Sequence, residues 1–317
     1  MASSPPAVTV SPVDAARAAY HHTRSQLFPI RVEKWLVLGL LAFLDQCGRA
    51  FRGGGGSPGG GHGHGPHAGE WPPDMSHVGA WLQRASEWLA AHAALLALGA
   101  VLGLLVFGVV MAVVLWLNAR GVLMYADAVA TGRTDLGNLW RRHAAAASSY
   151  FGWSLALTFA VAFTLLFAGG LVAATVLAFV AGRLQGTGGW MILAAMLPVL
   201  VLLGLALPLL GLAGVALRDF VAPLQLATGL PCGAAARLLE SLVLAQPGAF
   251  VLYVILKLLV VVGTGLVVVI VGCLTCCLGF LPVVMQVLFQ PLFHFERSLS
   301  LMLLRQMGYD VAARVAP

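Results

Sequence analysis

The sequence predicts an all-α integral membrane protein with six transmembrane helices, arranged as three repeated hairpins that each follow a cytoplasmic amphipathic helix at the membrane surface. Composition is the first observation behind this prediction: 60% of the residues are hydrophobic and 9% are charged, whereas an average soluble domain has about 25% charged residues. The second is a unit that occurs three times, in which an apolar span ends in an arginine and a glycine follows eleven or twelve residues later. The copies are Arg120 with Gly132, Arg218 with Gly229, and Arg297 with Gly308, and each glycine is expected to end a helix in a left-handed or turn conformation.

Six apolar stretches provide the predicted spans. Four of them can cross about 30 Å of hydrocarbon at about 1.5 Å per residue, and they cover residues 91–117, 153–180, 190–217 and 249–272. The sixth span, residues 278–295, is interrupted by Gln286, Gln290 and Pro291. The first, residues 35–44, is followed by Asp45 and reaches only about 15 Å, so it must be short, tilted or completed by polar residues shielded from lipid.

The distribution of basic residues decides whether that first stretch crosses. If it crosses, thirteen Lys and Arg residues lie on one side and four on the other; if it does not, the split is nine against eight. The positive-inside rule favours the first arrangement. We therefore expect both termini to lie in the cytoplasm.

The chain divides into a single membrane domain with short flanks. Residues 1–11 are expected to be a disordered N-terminus, residues 12–310 the six-span domain, and residues 311–317 a C-terminal tail. The repeat units are about 12–132, 133–230 and 231–310. Because it is mostly glycine, with three histidines, the stretch within residues 52–75 is expected to be a disordered extracytoplasmic loop.

Three segments on the cytoplasmic face mix charged residues with alanine, leucine and aromatics, namely residues 13–27, 136–149 and 232–245. Such helices lie at the headgroup boundary, with their basic side toward anionic lipid. They are either connectors that cap the bundle or lipid-sensing or gating elements. The expected partner is therefore the bilayer, with anionic lipid at the cytoplasmic face and no nucleic acid; the oligomeric state stays open.

Histidine and cysteine clusters suggest two further sites. His62, His64 and His67 could chelate zinc, nickel or copper, or they could belong to a flexible linker that is rich in histidine. Cysteines near the opposite side of the membrane could form a disulfide or pack as small apolar groups at a turn, and they are Cys47, Cys273, Cys276 and Cys277. Cys232 is expected to be a free thiol, and no cofactor is expected.

Polar residues inside the spans form a predicted intramembrane cluster of Lys257, Gln286, Gln290 and His294. The last three recur every four residues, so they form one stripe of a helix, and an antiparallel fifth span places Lys257 beside it. The cluster would couple the last hairpin or line a narrow solute path; the alternative is a lysine that snorkels to the surface. The repeat arginines Arg120, Arg218 and Arg297 are likewise expected to snorkel to lipid phosphates.

Short motifs suggest a family. The stretch VEKWLVLGLLAFL at residues 32–44 before a glycine run, GCLTCCLGFLP at residues 272–282 and FERSL at residues 295–299 resemble an uncharacterised family of bacterial multi-pass membrane proteins. These are distantly similar to the membrane domain fused to glycerophosphodiester phosphodiesterases. The likeness covers residues 12–308 and implies the bacterial inner membrane. It carries over no catalytic residue, because the phosphodiesterase would be a separate soluble barrel.

An enzymatic function is not expected. The sequence contains no Gly-x-Ser-x-Gly, His-Glu-x-x-His or Walker motif, and its acidic residues are scattered. We expect a non-catalytic membrane scaffold or envelope module. The alternative is a transporter or channel for a small solute or lipid, which needs polar groups along a path through the bilayer.

Overall fold

The structure is a computed structural model, and it describes residues 10–47, 84, 87–88, 90–180, 187–274, 281 and 283–315. Within these residues the chain is all-helical, and a π-helical turn, Leu217–Val221, joins the sixth helix to the seventh. In chain order the helices are α1 (Pro12–Leu27), α2 (Val32–Gln46), α3 (Ala93–Thr131), α4 (Leu136–Arg142), α5 (Ala144–Val180), α6 (Thr187–Ala216), α7 (Ala222–Thr228), α8 (Cys232–Ala245), α9 (Pro247–Leu274), α10 (Val284–Leu288), α11 (Gln290–Gln306) and α12 (Val311–Val315).

Four helices among the described residues are long and apolar enough to cross a membrane, and they cover most of the predicted second to fifth spans. They are Ala93–Thr131, Ala144–Phe179, Ala194–Thr228 and Pro247–Leu274. In the most apolar part of the third, no residue is buried inside the protein. Faces of this kind require an apolar surrounding, which is what a bilayer supplies.

The predicted first and sixth spans have a different form. α2 has 15 residues, which is about 22 Å of helix and less than the hydrocarbon thickness. The stretch predicted as one sixth span is divided at Phe289, between α10 and α11. Pro291 lies in the first turn of α11, where its missing N–H costs no helical hydrogen bond. Six spans and repeated hairpins therefore stay predictions.

Contacts divide the chain into two compact units, one of residues 1–58 with 115–317 and the other of residues 59–114. In the described part of the smaller unit, Trp88 stacks on His92 with ring centroids 4.6 Å apart, and leucine and valine side chains are exposed along residues 95–113. All the sites discussed below lie in the larger unit. Its core includes an unbroken buried run in α3, residues 121–129, and another across the π turn and α7, residues 217–226.

Local sequence explains where the segments predicted to be cytoplasmic begin. The Ser11 hydroxyl accepts a hydrogen bond from the Asp14 N–H and Pro12 starts α1, so this helix has both a cap and a favourable first residue. α1 and α8 match the predicted segments closely. The remaining predicted segment, residues 136–149, is divided at His143, because α4 ends there and α5 begins at Ala144.

Each repeat glycine ends a helix in the predicted conformation. The φ angles are 77° at Gly132, 76° at Gly229 and 91° at Gly308, a region that favours glycine. This local prediction is confirmed at all three positions. Residues 311–315, predicted as part of a tail, form α12, whose Val311 and Val315 are buried.

Candidate functional site

Six charged residues from four separate elements converge in the larger unit, and each residue is at most 6% exposed. We call this set the ionic cluster, and it consists of Asp45, Arg218, Asp219, Lys257, Glu296 and Arg297. Three members are acidic and three are basic, so the formal charges cancel. The members come from α2, the π turn, α9 and α11.

Arg218 lies at the centre of the ionic cluster. Its Nε donates to both carboxylate oxygens of Asp45 at 3.0 Å, and its Nη2 also contacts Asp45. Its Nη1 donates to Glu296 at 3.1 Å and to Asp219 at 3.2 Å. A planar guanidinium suits this arrangement, because its fork of N–H groups matches the geometry of carboxylates.

Lys257 pairs with two acids at once. Its Nζ lies 2.8 Å from Asp219 Oδ2 and 2.8 Å from Glu296 Oε1. Both contacts are ion pairs, and their angles are not those of a hydrogen bond. One helical turn earlier on α9, the Tyr253 hydroxyl donates to Asp219 Oδ2 at 2.9 Å. Asp219 is thereby held from α9 by a cation and by a hydroxyl.

Arg297 is fully buried and joins three elements through backbone contacts. Its Nη1 donates to the carbonyl of Arg218 at 2.7 Å and its Nη2 to the carbonyl of Val122 at 3.0 Å. Nη1 also lies 3.6 Å from Asp219 Oδ1. Arg297 therefore links α11 both to the π turn and to α3.

The π turn presents Arg218 and Asp219 together. All five of its residues are buried, and the Ala222 N–H donates to the Leu217 carbonyl, five residues earlier. π turns inside α-helices are rare and frequently lie at functional sites. Here the turn directs two neighbouring charges of opposite sign into one cluster.

Close packing of α3 against the end of α2 positions Asp45. The Asn118 side chain donates to the carbonyls of Leu44 and Asp45 at 2.9 Å and 2.7 Å. A Cβ at Gly121 would lie 2.5 Å from the Leu44 carbonyl carbon and 2.8 Å from the Asp45 nitrogen. Only glycine permits this approach, which makes Gly121 a packing determinant of the site.

The predicted intramembrane cluster is distributed among different partners. Lys257 pairs with carboxylates, whereas the Gln286 amide donates to the Gln46 side chain at 3.3 Å and the Gln290 amide to the Tyr125 hydroxyl at 3.2 Å. His294, fully buried, meets the Thr23 hydroxyl at 3.0 Å. The stripe thus binds α1, α2 and α3, while Lys257 belongs to the ionic cluster.

The expectation that the repeat arginines snorkel is wrong for Arg218 and Arg297. Both are buried, and carboxylates or carbonyls of the protein accept hydrogen bonds from their guanidinium groups. Arg120 differs: its guanidinium carbon lies 4.8 Å from the ring centroid of Trp116 and 4.5 Å from that of Trp140, and its Nη1 donates to the Trp140 carbonyl. Aromatic faces attract cations at such distances.

Sequence reasoning missed the three acids Asp45, Asp219 and Glu296. In the sequence they are scattered, but each pairs with a cation of the ionic cluster. Two adjacent pairs at the ends of apolar spans, Arg218 with Asp219 and Glu296 with Arg297, were the available signal. Ionisable residues near lipid are rare unless they are paired.

A second buried polar pair joins α3 to the start of α5. His143 Nε2 lies 2.7 Å from Asp127 Oδ2, and the Thr131 hydroxyl lies 3.1 Å from Asp127 Oδ1. The carboxylate thereby fixes the turn after α3.

Among the described residues, no group of three or more His, Cys, Asp and Glu side chains could hold a metal ion. The predicted ligands His62, His64 and His67 lie outside the described residues, as do Cys276 and Cys277.

Cys232 is a free and fully buried thiol at the start of α8, and burial raises the pKa of this thiol to about 12. Because only the thiolate reacts, we expect no alkylation of Cys232 by N-ethylmaleimide in the folded protein at about pH 8. The measurement uses a chain whose other cysteines are alanine. Its control is Cys232→Ala with Ser241→Cys, which moves the thiol to an exposed position on the same helix. Labelling of folded Cys232 as fast as that of the control would contradict the burial.

The chain shows one similarity to known proteins. The model of a protein family described as a family of unknown function, DUF7544, matches residues 10–312. No curated protein and no solved structure matches the chain.

Proposed function

The chain belongs to the family DUF7544, whose function is unknown, and we propose that it is a non-catalytic scaffold of the bacterial inner membrane that organises lipid or partner proteins. Four long apolar helices support a place in the membrane. The ionic cluster has members in α2, the π turn, α9 and α11 and a hydrogen bond to α3, and it would hold these five elements in one fixed arrangement.

The observation that carries this proposal is that the ionic cluster is neutral and internally paired. Each of its carboxylates contacts at least one of its cations within 3.2 Å. A buried charge costs several kcal/mol unless it is paired, so any movement that separated the members would be strongly opposed. A scaffold needs a fixed helix arrangement. A conduit instead needs polar groups that bind a solute weakly enough to release it.

The proposed topology has six spans in three repeated hairpins, with both termini in the cytoplasm. α2 and the stretch from α10 into α11 would be the two short spans, completed by polar residues that the protein shields from lipid. Pairing of Asp45 at the end of α2 supports this view, because it removes the main cost of placing that end near hydrocarbon.

Cysteine labelling tests the topology. Ser57, which lies outside the described residues, is expected on the outer side, and Ser148, Thr228 and the C-terminus on the inner side. In intact cells expressing a chain without native cysteines, an impermeant maleimide should therefore label Ser57→Cys only. Labelling of Thr228→Cys before the cells are opened would contradict six spans.

The resemblance to the membrane domain fused to glycerophosphodiester phosphodiesterases fits a module of this kind. The segment FERSL, on which part of the resemblance rests, contains Glu296 and Arg297 of the ionic cluster. We propose that this motif is retained for its structural pairing. Anionic lipid at the cytoplasmic face would be the partner of α1, α4 and α8, which carry most of the exposed arginines.

A carrier or channel for a small solute or lipid is the second candidate. It is favoured by Lys257, which lies eleven residues into α9 and is only 5% exposed. Ionisable groups at such depth mark ion or proton pathways in many membrane proteins. The two candidates predict different results in vesicles.

Proteoliposomes test the proposed function. One set of vesicles contains the pH-sensitive dye pyranine, and a second contains a fluorescent phospholipid whose outer-leaflet copies are bleached by dithionite. A scaffold predicts proton leak and lipid exchange equal to those of protein-free vesicles, for both the wild type and Lys257→Met. Flux in the wild type that Lys257→Met abolishes, and that the exposed control Arg237→Met retains, would establish a conduit instead.

A further inference from the structure

An open groove of about 710 Å³ lies between α1 and α11. Its wall on α1 carries His21, His22 and Arg24, and Phe28 follows at the end of that helix. Its wall on α11 carries Met302 and Arg305. The groove lies in a different part of the larger unit from the ionic cluster, and none of its lining residues belongs to that cluster.

The groove presents cations from both helices. Arg24 is exposed, and the Arg305 side chain is 63% exposed, so both guanidiniums can reach a ligand. Among the residues that the structure describes, the carboxylate paired with them is Asp310, whose Oδ2 lies 3.2 Å from Arg305 Nε. His22 keeps its place in the wall because its Nε2–H donates to the Val129 carbonyl at 2.7 Å. Two forked donors on opposite walls suit the oxygens of a phosphate group.

Apolar side chains continue from the end of the groove. Phe28, Ile30 and Val32 are 51%, 59% and 69% exposed. In an integral membrane protein, side chains so exposed face acyl chains, while neighbouring arginines lie at headgroup level. The groove therefore combines an arginine on each of its two walls with an apolar surface beside it.

We propose that the groove between α1 and α11 binds the phosphate of an anionic glycerophospholipid, with Arg24 and Arg305 on the phosphate oxygens and an acyl chain along Phe28 and Ile30. This site rests on the proposed function only in placing α1 at the membrane surface. A free phosphate would use the arginines and leave the apolar wall without a ligand group. The lipid satisfies both parts of the groove.

Native mass spectrometry of the full-length protein in detergent tests the site, with dioleoyl phosphatidylglycerol as the probe. Arg24→Gln with Arg305→Gln should weaken binding of one lipid by about thirtyfold. The matched control, Arg84→Gln with Arg314→Gln, removes the same charge from exposed positions outside α1, α4 and α8 and should leave this binding unchanged. Asp310→Asn, which frees Arg305 and keeps the acceptor oxygen that caps α12, should tighten it by about twofold to fivefold.

The outcomes separate the alternatives. Equal weakening in both double variants would overturn the groove, since it would show attraction to net charge alone. Displacement of the lipid by inorganic phosphate in moderate excess would overturn the lipid and leave a free anion as the ligand. A conduit would keep the lipid site, so flux in proteoliposomes would refute the scaffold without affecting this result, and unchanged lipid binding in Arg24→Gln with Arg305→Gln would refute the groove alone.

Discussion

Replacing Arg218 with methionine is expected to lower the free energy of unfolding by about 3–5 kcal/mol, because it leaves a fully buried carboxylate without its cation. That carboxylate is Asp45, which is 0% exposed and receives both the Nε and Nη2 groups of Arg218. Asp219 and Glu296 would lose one cation each and keep Lys257. Unfolding by SDS in mixed micelles measures the change.

The matched control for this variant is Arg237→Met, which makes the same substitution at an exposed position on α8. It should change the free energy of unfolding by no more than about 0.5 kcal/mol, as is usual for surface positions. If Arg218→Met is no more destabilising than Arg237→Met, the buried pairing does not stabilise the fold.

The second large effect is expected at Gly121. Gly121→Ala places a methyl group 2.5 Å from the Leu44 backbone and should cost about 1–3 kcal/mol, because backbone atoms cannot move aside as a flexible side chain does. The change would also move Asp45 away from Arg218. The measurement is again unfolding by SDS in mixed micelles. The fraction of unfolded protein is followed by tryptophan fluorescence.

Gly152→Ala is the control for Gly121→Ala. Gly152 lies in the interior of α5, and a Cβ there would meet no atom within 4 Å. Alanine should stabilise this helix by up to about 1 kcal/mol, since it restricts the unfolded chain more than glycine does. If both substitutions changed stability in the same direction and by the same amount, helix propensity alone would explain them and the contact at Leu44 would be unimportant.

The sequence predicted the parts of the fold that depend on local pattern. Hydrophobic length identified the four helices that are long and apolar enough to cross a membrane, and the glycines at 132, 229 and 308 marked helix ends, because a positive φ excludes most other residues. Length alone did not predict the break at Phe289 within the stretch 278–295, after which the helix resumes with Pro291 in its first turn. The four-residue spacing predicts a polar stripe, but it does not reveal that the polar face of α11 is buried against α1, α2 and the π turn.

The candidate site depends on contacts that the sequence does not encode locally. Asp45 and Arg218 are 173 positions apart, and Arg218 and Glu296 are 78 apart. The predicted antiparallel register placed Lys257 beside the polar stripe of α11, whereas its Nζ lies 2.8 Å from Glu296 of α11 and 2.8 Å from Asp219 of the π turn. The sequence pattern does not predict the π turn. Charges at the ends of apolar spans were assigned to the lipid surface, although burial with an opposite charge was the other solution.

The proposed scaffold depends on the ionic cluster, whose neutral and paired charges would hold the surrounding helices in one arrangement. A double-mutant cycle on Lys257 and Glu296 tests this pairing most directly. Lys257→Met and Glu296→Gln should each destabilise the protein, because each leaves an unbalanced buried charge. The double variant, which restores neutrality, should lose less stability than the two single losses together, by about 0.5–3 kcal/mol. Strictly additive losses, or a Lys257→Met variant as stable as the wild type, would contradict the account.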